Sequence, residues 1–184
     1  MSCSSLVAAA SQLVKSELMV RAPVGKKTIH HPDFEALVAV NRGVVALTNE
    51  PHGYSQADGE KIEELLTEVE HRADNQEFEE AVVDKAALLV FKLASGQHFK
   101  TGNKRTALVA GAVFLAKNGY SVDLGNPDLV STVDRAGMAA AGLDEVYAVL
   151  RRLVAKSKLQ RKAWDKAVAE AVSSNKEALT KMGS

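Results

Sequence analysis

The sequence predicts an all-α fold, a bundle of about seven or eight helices around two buried central ones. Three observations carry this. Apolar residues recur at helical spacing along most of the chain, with almost no period-two alternation. Two helical stretches, residues 77–95 and 103–118, become apolar nearly all round, the first from Ala86 to Leu93 apart from Lys92 and the second from Ala107 to Ala116, as enclosed helices must be. No repeat or low-complexity segment breaks the pattern, and 184 residues at 46% hydrophobic suffice for one ordinary core.

Element by element, residues 4–18 are Ala-rich and helix-compatible, and Pro23, Gly25, Lys26 and Lys27 then read as a loop. These first 31 residues form an N-terminal helix and loop, residues 32–157 the core, and residues 158–184 a C-terminal helix packed on it or extending it. From Pro32, the residues Phe34, Leu37, Val38 and Asn41 have helical spacing until Gly43 interrupts it. Residues 44–48 suit helix or strand equally. The turn residues of 50–55 precede a helix starting at Asp58, with Ile62, Leu65, Leu66 and Val69 on one face.

The first central helix carries Phe78, Val82, Ala86, Leu89 and Leu93 and stops at Gly96; the second ends at Asn118-Gly119. Asn126-Pro127-Asp128 caps a further helix, residues 143–156 make another, and residues 159–182 make a last one with Trp164, Ala167, Val168 and Val172 as a narrow apolar face.

Composition limits what such a bundle does. Lys plus Arg and Asp plus Glu number 23 each, so no global field draws the chain to nucleic acid or to an anionic membrane. No run approaches the roughly 18 apolar residues of a spanning helix, and no basic residue precedes the short apolar run at 6–10, so neither a membrane span nor a signal peptide is expected. The lone cysteine, Cys3, excludes an internal disulfide and a cysteine-based zinc site, and suits a reducing, cytoplasmic setting.

One segment stands out chemically. Gly96-Gln97-His98-Phe99-Lys100-Thr101-Gly102 is a polar, glycine-flanked loop between the two buried helices, ending at the N-terminus of the second. A helix start offers unpaired N–H groups and the positive end of its dipole, which together bind anions. Lys104 and Arg105 stand in that first turn, where each positive charge opposes the dipole by about 0.3–1 kcal/mol. With no acidic residue beside them in the sequence, a bound anion is the expected compensation. Gly102 lets the backbone approach a phosphate, Phe99 anchors the loop to the core, and the spacing does not fit a P-loop.

The string Gln97-His98-Phe99-Lys100-Thr101-Gly102-Asn103-Lys104-Arg105-Thr106 resembles the signature of the Fic/Doc (Fido) family, His-x-Phe-x-Asp/Glu-Gly-Asn-Lys/Gly-Arg. Asn103-Lys104-Arg105-Thr106-Ala107 is nearer the Doc branch, and Leu108 stands where Fic enzymes have a second arginine. The resemblance implies a Fido-like helical bundle, with room for a short flap hairpin. It implies transfer of a phosphoryl or nucleotidyl group, as in AMPylation, from ATP or another NTP with Mg²⁺ to a hydroxyl side chain of a target protein. Gly102, Asn103, Lys104, Arg105 and Thr106 would bind the nucleotide phosphates. An antitoxin-like partner stays open, as does self-association through Trp164 and its neighbours.

Two positions depart from the pattern. Gln97 replaces the motif histidine, and an amide takes no proton at neutral pH, although it can orient a hydroxyl. Thr101 replaces the acidic metal ligand, so the chain itself supplies no metal residue there. His98 could stand in as base only if the loop shifted register; otherwise it is a partly exposed histidine beside Phe99. His30, His31 and His52 lie in loops, where histidines are usually solvated. His30-His31 is a weak metal pair. Ser173-Ser174-Asn175-Lys176-Glu177-Ala178 echoes the family's inhibitory Ser/Thr-x-x-x-Glu-Gly/Asn helix, with alanine at its last position. Three functions remain open: a Doc-like phosphotransferase with Gln97 positioning the acceptor, a nucleotide-sensing pseudoenzyme, and a helical interaction module.

Overall fold

The computed structural model describes residues 27–157 and 164–182. Eight helices and one two-stranded ladder lie among them. In chain order they are α1 (Phe34–Ala46), α2 (Gln56–His71), α3 (Phe78–Ser95), α4 (Asn103–Lys117), β1 (Tyr120–Ser121), α5 (Pro127–Gly137), α6 (Leu143–Leu153), β2 (Ala155–Lys156), α7 (Trp164–Ser174) and α8 (Lys176–Lys181). The helix expected over residues 4–18 falls outside the described residues.

Helix starts follow local capping chemistry. The Asp33 side chain accepts from Ala36 N at 2.8 Å to cap α1. Ser55 and Asp58 form a reciprocal capping box, so α2 begins two residues before Asp58, which sits inside its first turn. Asn126 caps α5, with Pro127 at its first position, where a missing N–H costs nothing. At the other end of α2, the buried Lys85 of α3 donates to the carbonyls of Val69 (3.1 Å) and Glu70, placing positive charge at a helix C-terminus.

The central pair is α3 and α4. Both bury residues on every side, and they approach so closely that a Cβ at Gly111 would lie 2.3 Å from Val90 Cγ2. Around them, α1 and α7 pack on α4, α2 and α6 pack on α3, and α5 packs on both. Asn118, just past α4, clamps the start of the described chain. Its Oδ1 accepts from His30 N (2.8 Å), and its Nδ2 donates to His30 O (3.0 Å) and Phe114 O (2.8 Å).

Several sequence expectations need correction. Helix α1 runs straight through Gly43, because α7 covers it: Val172 Cγ2 lies 3.5 Å from where a Cβ would be. Residues 44–46 are therefore helical, and a turn follows. The helix expected over 143–156 ends at Leu153, and Ala155–Lys156 pairs antiparallel with Tyr120–Ser121 in the register Tyr120↔Lys156, Ser121↔Ala155. Among the described residues that ladder is the only sheet, and it joins distant segments, so no flap hairpin occurs there. The last helix breaks at Asn175 into α7 and α8, which bury Val168, Val172 and Leu179 against the core.

Candidate functional site

The loop between α3 and α4 is shaped by its backbone. Gly96 ends α3 where a side chain has no room: a Cβ would sit 2.2 Å from His98 Cε1 and 2.7 Å from Lys92 O. Gln97 adopts a left-handed conformation at φ 49°, which an L side chain holds at a cost of about 1–2 kcal/mol. It is exposed. His98 turns inward, only 5% exposed, and Phe99 is buried in the core cluster. His98 is thus a buried histidine, not a partly exposed one. Desolvation, reinforced by the charge of Lys61, holds its pKa below the usual histidine range, and its Nδ1 has no partner.

Gly102 begins α4 at φ 75°, with its missing Cβ 2.7 Å from Val45 Cγ1 of α1. Both facts require glycine before any ligand is considered. The Asn103 side chain closes the loop on itself, accepting from Phe99 N (2.9 Å) and donating to Phe99 O (2.7 Å). The first helical bond of the turn runs from Thr106 N to Gly102 O, leaving the N–H groups of 103–105 outside the helical ladder.

The buried hub of this region is a residue the sequence reading passed over. Asn41, fully buried on α1, donates from Nδ2 to Thr101 O (2.9 Å) and to the Thr106 hydroxyl (3.0 Å), and its Oδ1 meets His52 Nδ1 at 2.7 Å. It ties α1, the motif loop, α4 and the 48–55 segment together. Its signal was visible: a polar side chain at a core-facing position of α1. Two further bonds fasten the 48–55 segment to the loop, from Thr101 Oγ1 to Pro51 O (2.9 Å) and from Lys100 N to Gly53 O (2.8 Å).

The two cations have unequal freedom. Arg105, 4% exposed, donates to the Thr48 hydroxyl (2.6 Å) and to the Glu50 carboxylate. The Arg105 hydrogen bond holds the Glu50 pKa below the usual carboxylate value. Lys104 pairs with Asp134 of α5, its stem lying against Gly137, where a Cβ would come within 2.7 Å of Lys104 Cε. The absence of acidic residues beside these cations holds along α4 but not in space: Glu50 and Asp134 supply the compensation that a bound anion was expected to provide. Only the Lys104 pair is open to exchange. Its partners are 33% and 43% exposed, and ion pairs of that kind contribute about 0–1 kcal/mol.

Two clefts flank the loop. One, of about 310 Å³, lies before α4 and is lined by Gln97, Lys100, Gly102, Asn103, Lys104 and Arg105, with Gly137 and Met182 at its edge. The other, of about 860 Å³, lies toward the start of α2 and includes His52, Tyr54, Asp58, Lys61 and Gly96. Gln97, Phe99 and Lys100 line both, so they form the ridge between them. The site residues read from the sequence thus line one or both clefts, Phe99 doing so from its core anchorage, except Thr106, a buried partner of Asn41, and His98, which line neither.

Among the other candidates, His52 joins the site, whereas His31 lies in a separate pocket with His71, Asp74 and Lys85. No group of three or more His, Cys, Asp or Glu side chains that could hold a metal ion occurs among the described residues. The Thr101 hydroxyl is spent on Pro51 O, so the donor set does not fit a protein-held Mg²⁺. Glu177 pairs with Lys181 of its own helix (2.7 Å), and Leu108 is buried in the core, so the echo of an inhibitory helix has no counterpart arginine here.

Residues 31–115, the stretch from just before α1 to the last turn of α4, match the model of the Fic/DOC family. No curated protein and no solved structure matches the chain. No helix among the described residues is long and apolar enough to cross a membrane.

Proposed function

We propose that the cleft before α4 binds the phosphates of a nucleoside triphosphate, and that the protein transfers a phosphoryl or nucleotidyl group from it to a hydroxyl of a target protein. The observation that carries this is the convergence of Gln97, Lys100, Lys104 and the free N–H groups of the first α4 turn on one cleft, within the matched family segment. Lys104 is the exchangeable cation: turning from Asp134 to a phosphate trades a weak pair for a charge-assisted contact at a positive helix end. Arg105, held by Thr48 and Glu50, shapes the wall and contributes field. Any Mg²⁺ enters on the nucleotide, held by phosphates and water.

A second reading is favoured by Gln97 and Thr101: a pseudoenzyme that senses nucleotide without turnover. One experiment separates them. ATP, GTP, CTP and tripolyphosphate with Mg²⁺ are each added to the full chain, melting is followed, and transfer of α- or γ-labelled phosphate to lysate proteins is measured. We expect stabilisation that Lys104→Ala weakens by about tenfold in apparent affinity, since one charge-assisted contact is worth about 1.5 kcal/mol. Stabilisation without label transfer leaves the sensor. No stabilisation by any of the four removes the phosphate site.

A further inference from the structure

Asn41 does more than tie segments together; it fixes where a proton sits. Its Nδ2 lies 2.9 Å from the backbone oxygen of Thr101, an atom that only accepts, so the amide orientation is settled. Its Oδ1 therefore faces His52 Nδ1 at 2.7 Å, and since an amide oxygen also only accepts, Nδ1 must carry the hydrogen. The neutral ring is left with its lone pair on Nε2. That ring packs beside Phe99 and Tyr54, with centroids 6.5 and 6.1 Å away, and lines the cleft that shares Gln97 and Lys100 with the phosphate cleft.

We infer that His52 is the general base of this site, that Asn41 is the positioning residue fixing its tautomer, and that the α2-side cleft receives the acceptor hydroxyl. This rests on the transfer reading above. The alternatives within the loop fail on chemistry or placement: Gln97 takes no proton, and His98 is buried and lines neither cleft. Desolvation, with the charge of Arg42 second, lowers the His52 pKa, which keeps the ring neutral at pH 7 and able to accept.

The step balances as a displacement at phosphorus. The acceptor hydroxyl oxygen attacks the transferred phosphorus of the nucleoside triphosphate, and a new O–P bond forms. The bond from that phosphorus to the bridging oxygen breaks, its electron pair leaving on the nucleoside diphosphate, or on pyrophosphate if the α-phosphorus is attacked. The hydroxyl proton passes to His52 Nε2 and then to water. The imidazolium carries N–H on both nitrogens, so the bond to Asn41 Oδ1 is kept throughout. Gln97, on the ridge, orients the hydroxyl.

The test uses the full chain with His52→Asn and His52→Gln. In the first, the amide N–H takes the place of Nδ1 opposite Asn41, so the network survives without a base. Melting with and without ATP, label transfer to lysate proteins, and the ¹⁵N shifts of the His52 ring in the unsubstituted protein are measured. We expect unchanged stabilisation by ATP, transfer reduced by about 10²–10⁴ in both variants, and hydrogen on Nδ1. Transfer within about threefold of the unsubstituted protein in a folded variant overturns the assignment, as does hydrogen on Nε2 in the neutral ring. ATP stabilisation with no transfer by the unsubstituted protein overturns His52 as base while sparing the phosphate site. No stabilisation by ATP or tripolyphosphate overturns the phosphate site, and with it this inference.

Discussion

Two adjacent cations of α4 look interchangeable in sequence, and their surroundings give them opposite roles. Arg105 is buried against Thr48 and Glu50, so Arg105→Ala strands a half-buried carboxylate and a hydroxyl together. We expect a loss of about 1–3 kcal/mol, read as a lower denaturant midpoint, whereas Lys104→Ala changes stability by less than about 1 kcal/mol. Equal losses in the two variants would contradict the assignment. The buried phenylalanine at 99 was legible because an apolar side chain between polar neighbours is a property of consecutive residues, whereas Gly102 was read for phosphate approach and is required by its φ of 75° and by Val45 of α1. The counter-ions were not. Glu50 and Asp134 reach α4 from 55 and 30 residues away, and charge compensation across such separations follows from packing alone.

At the scale of helices, periodicity located nearly every element, since an amphipathic stripe is written into consecutive residues. The breaks were less legible because neighbours decide them. Gly43 marks no helix end, and α7 lies over it at ordinary contact distance, so Gly43→Ala should stabilise by about 0.5–1 kcal/mol through helix propensity. Gly111→Ala, in the middle of α4, should cost about 1–3 kcal/mol, because its Cβ would meet Val90 Cγ2 at 2.3 Å and push the central pair apart. Paired urea melts check both, and shifts of the same sign would refute the packing argument. Likewise the end of α6 was overrun, because Ala155 and Lys156 are held extended by a partner strand across two helices.

Taken as a whole, the molecule keeps three histidines, His31, His52 and His98, with pKa values lowered chiefly by burial. In the unfolded chain each titrates near 6.5, so below that pH the unfolded state binds more protons. Their contribution to stability is complete above about pH 6.5 and is lost as pH falls through the folded values. The Glu50 carboxylate, lowered by Arg105, follows the same sign at more acid pH, below its ordinary value of 4.5. Thermal melts should therefore show a lower Tm at pH 5.5 than at pH 7.5, with His98→Leu flattening the difference; a Tm that rises on acidification would contradict it. The short ladder between Tyr120–Ser121 and Ala155–Lys156 has a consequence at this scale too. It pinches α5 and α6 into a loop closed at its base, and that loop lies outside the family-matched residues 31–115 while holding Asp134 against Lys104. The carboxylate beside Lys104 is thus supplied by a segment outside the matched residues, so a single change there, Asp134→Asn, would alter the charge at the cleft without touching a residue of the loop.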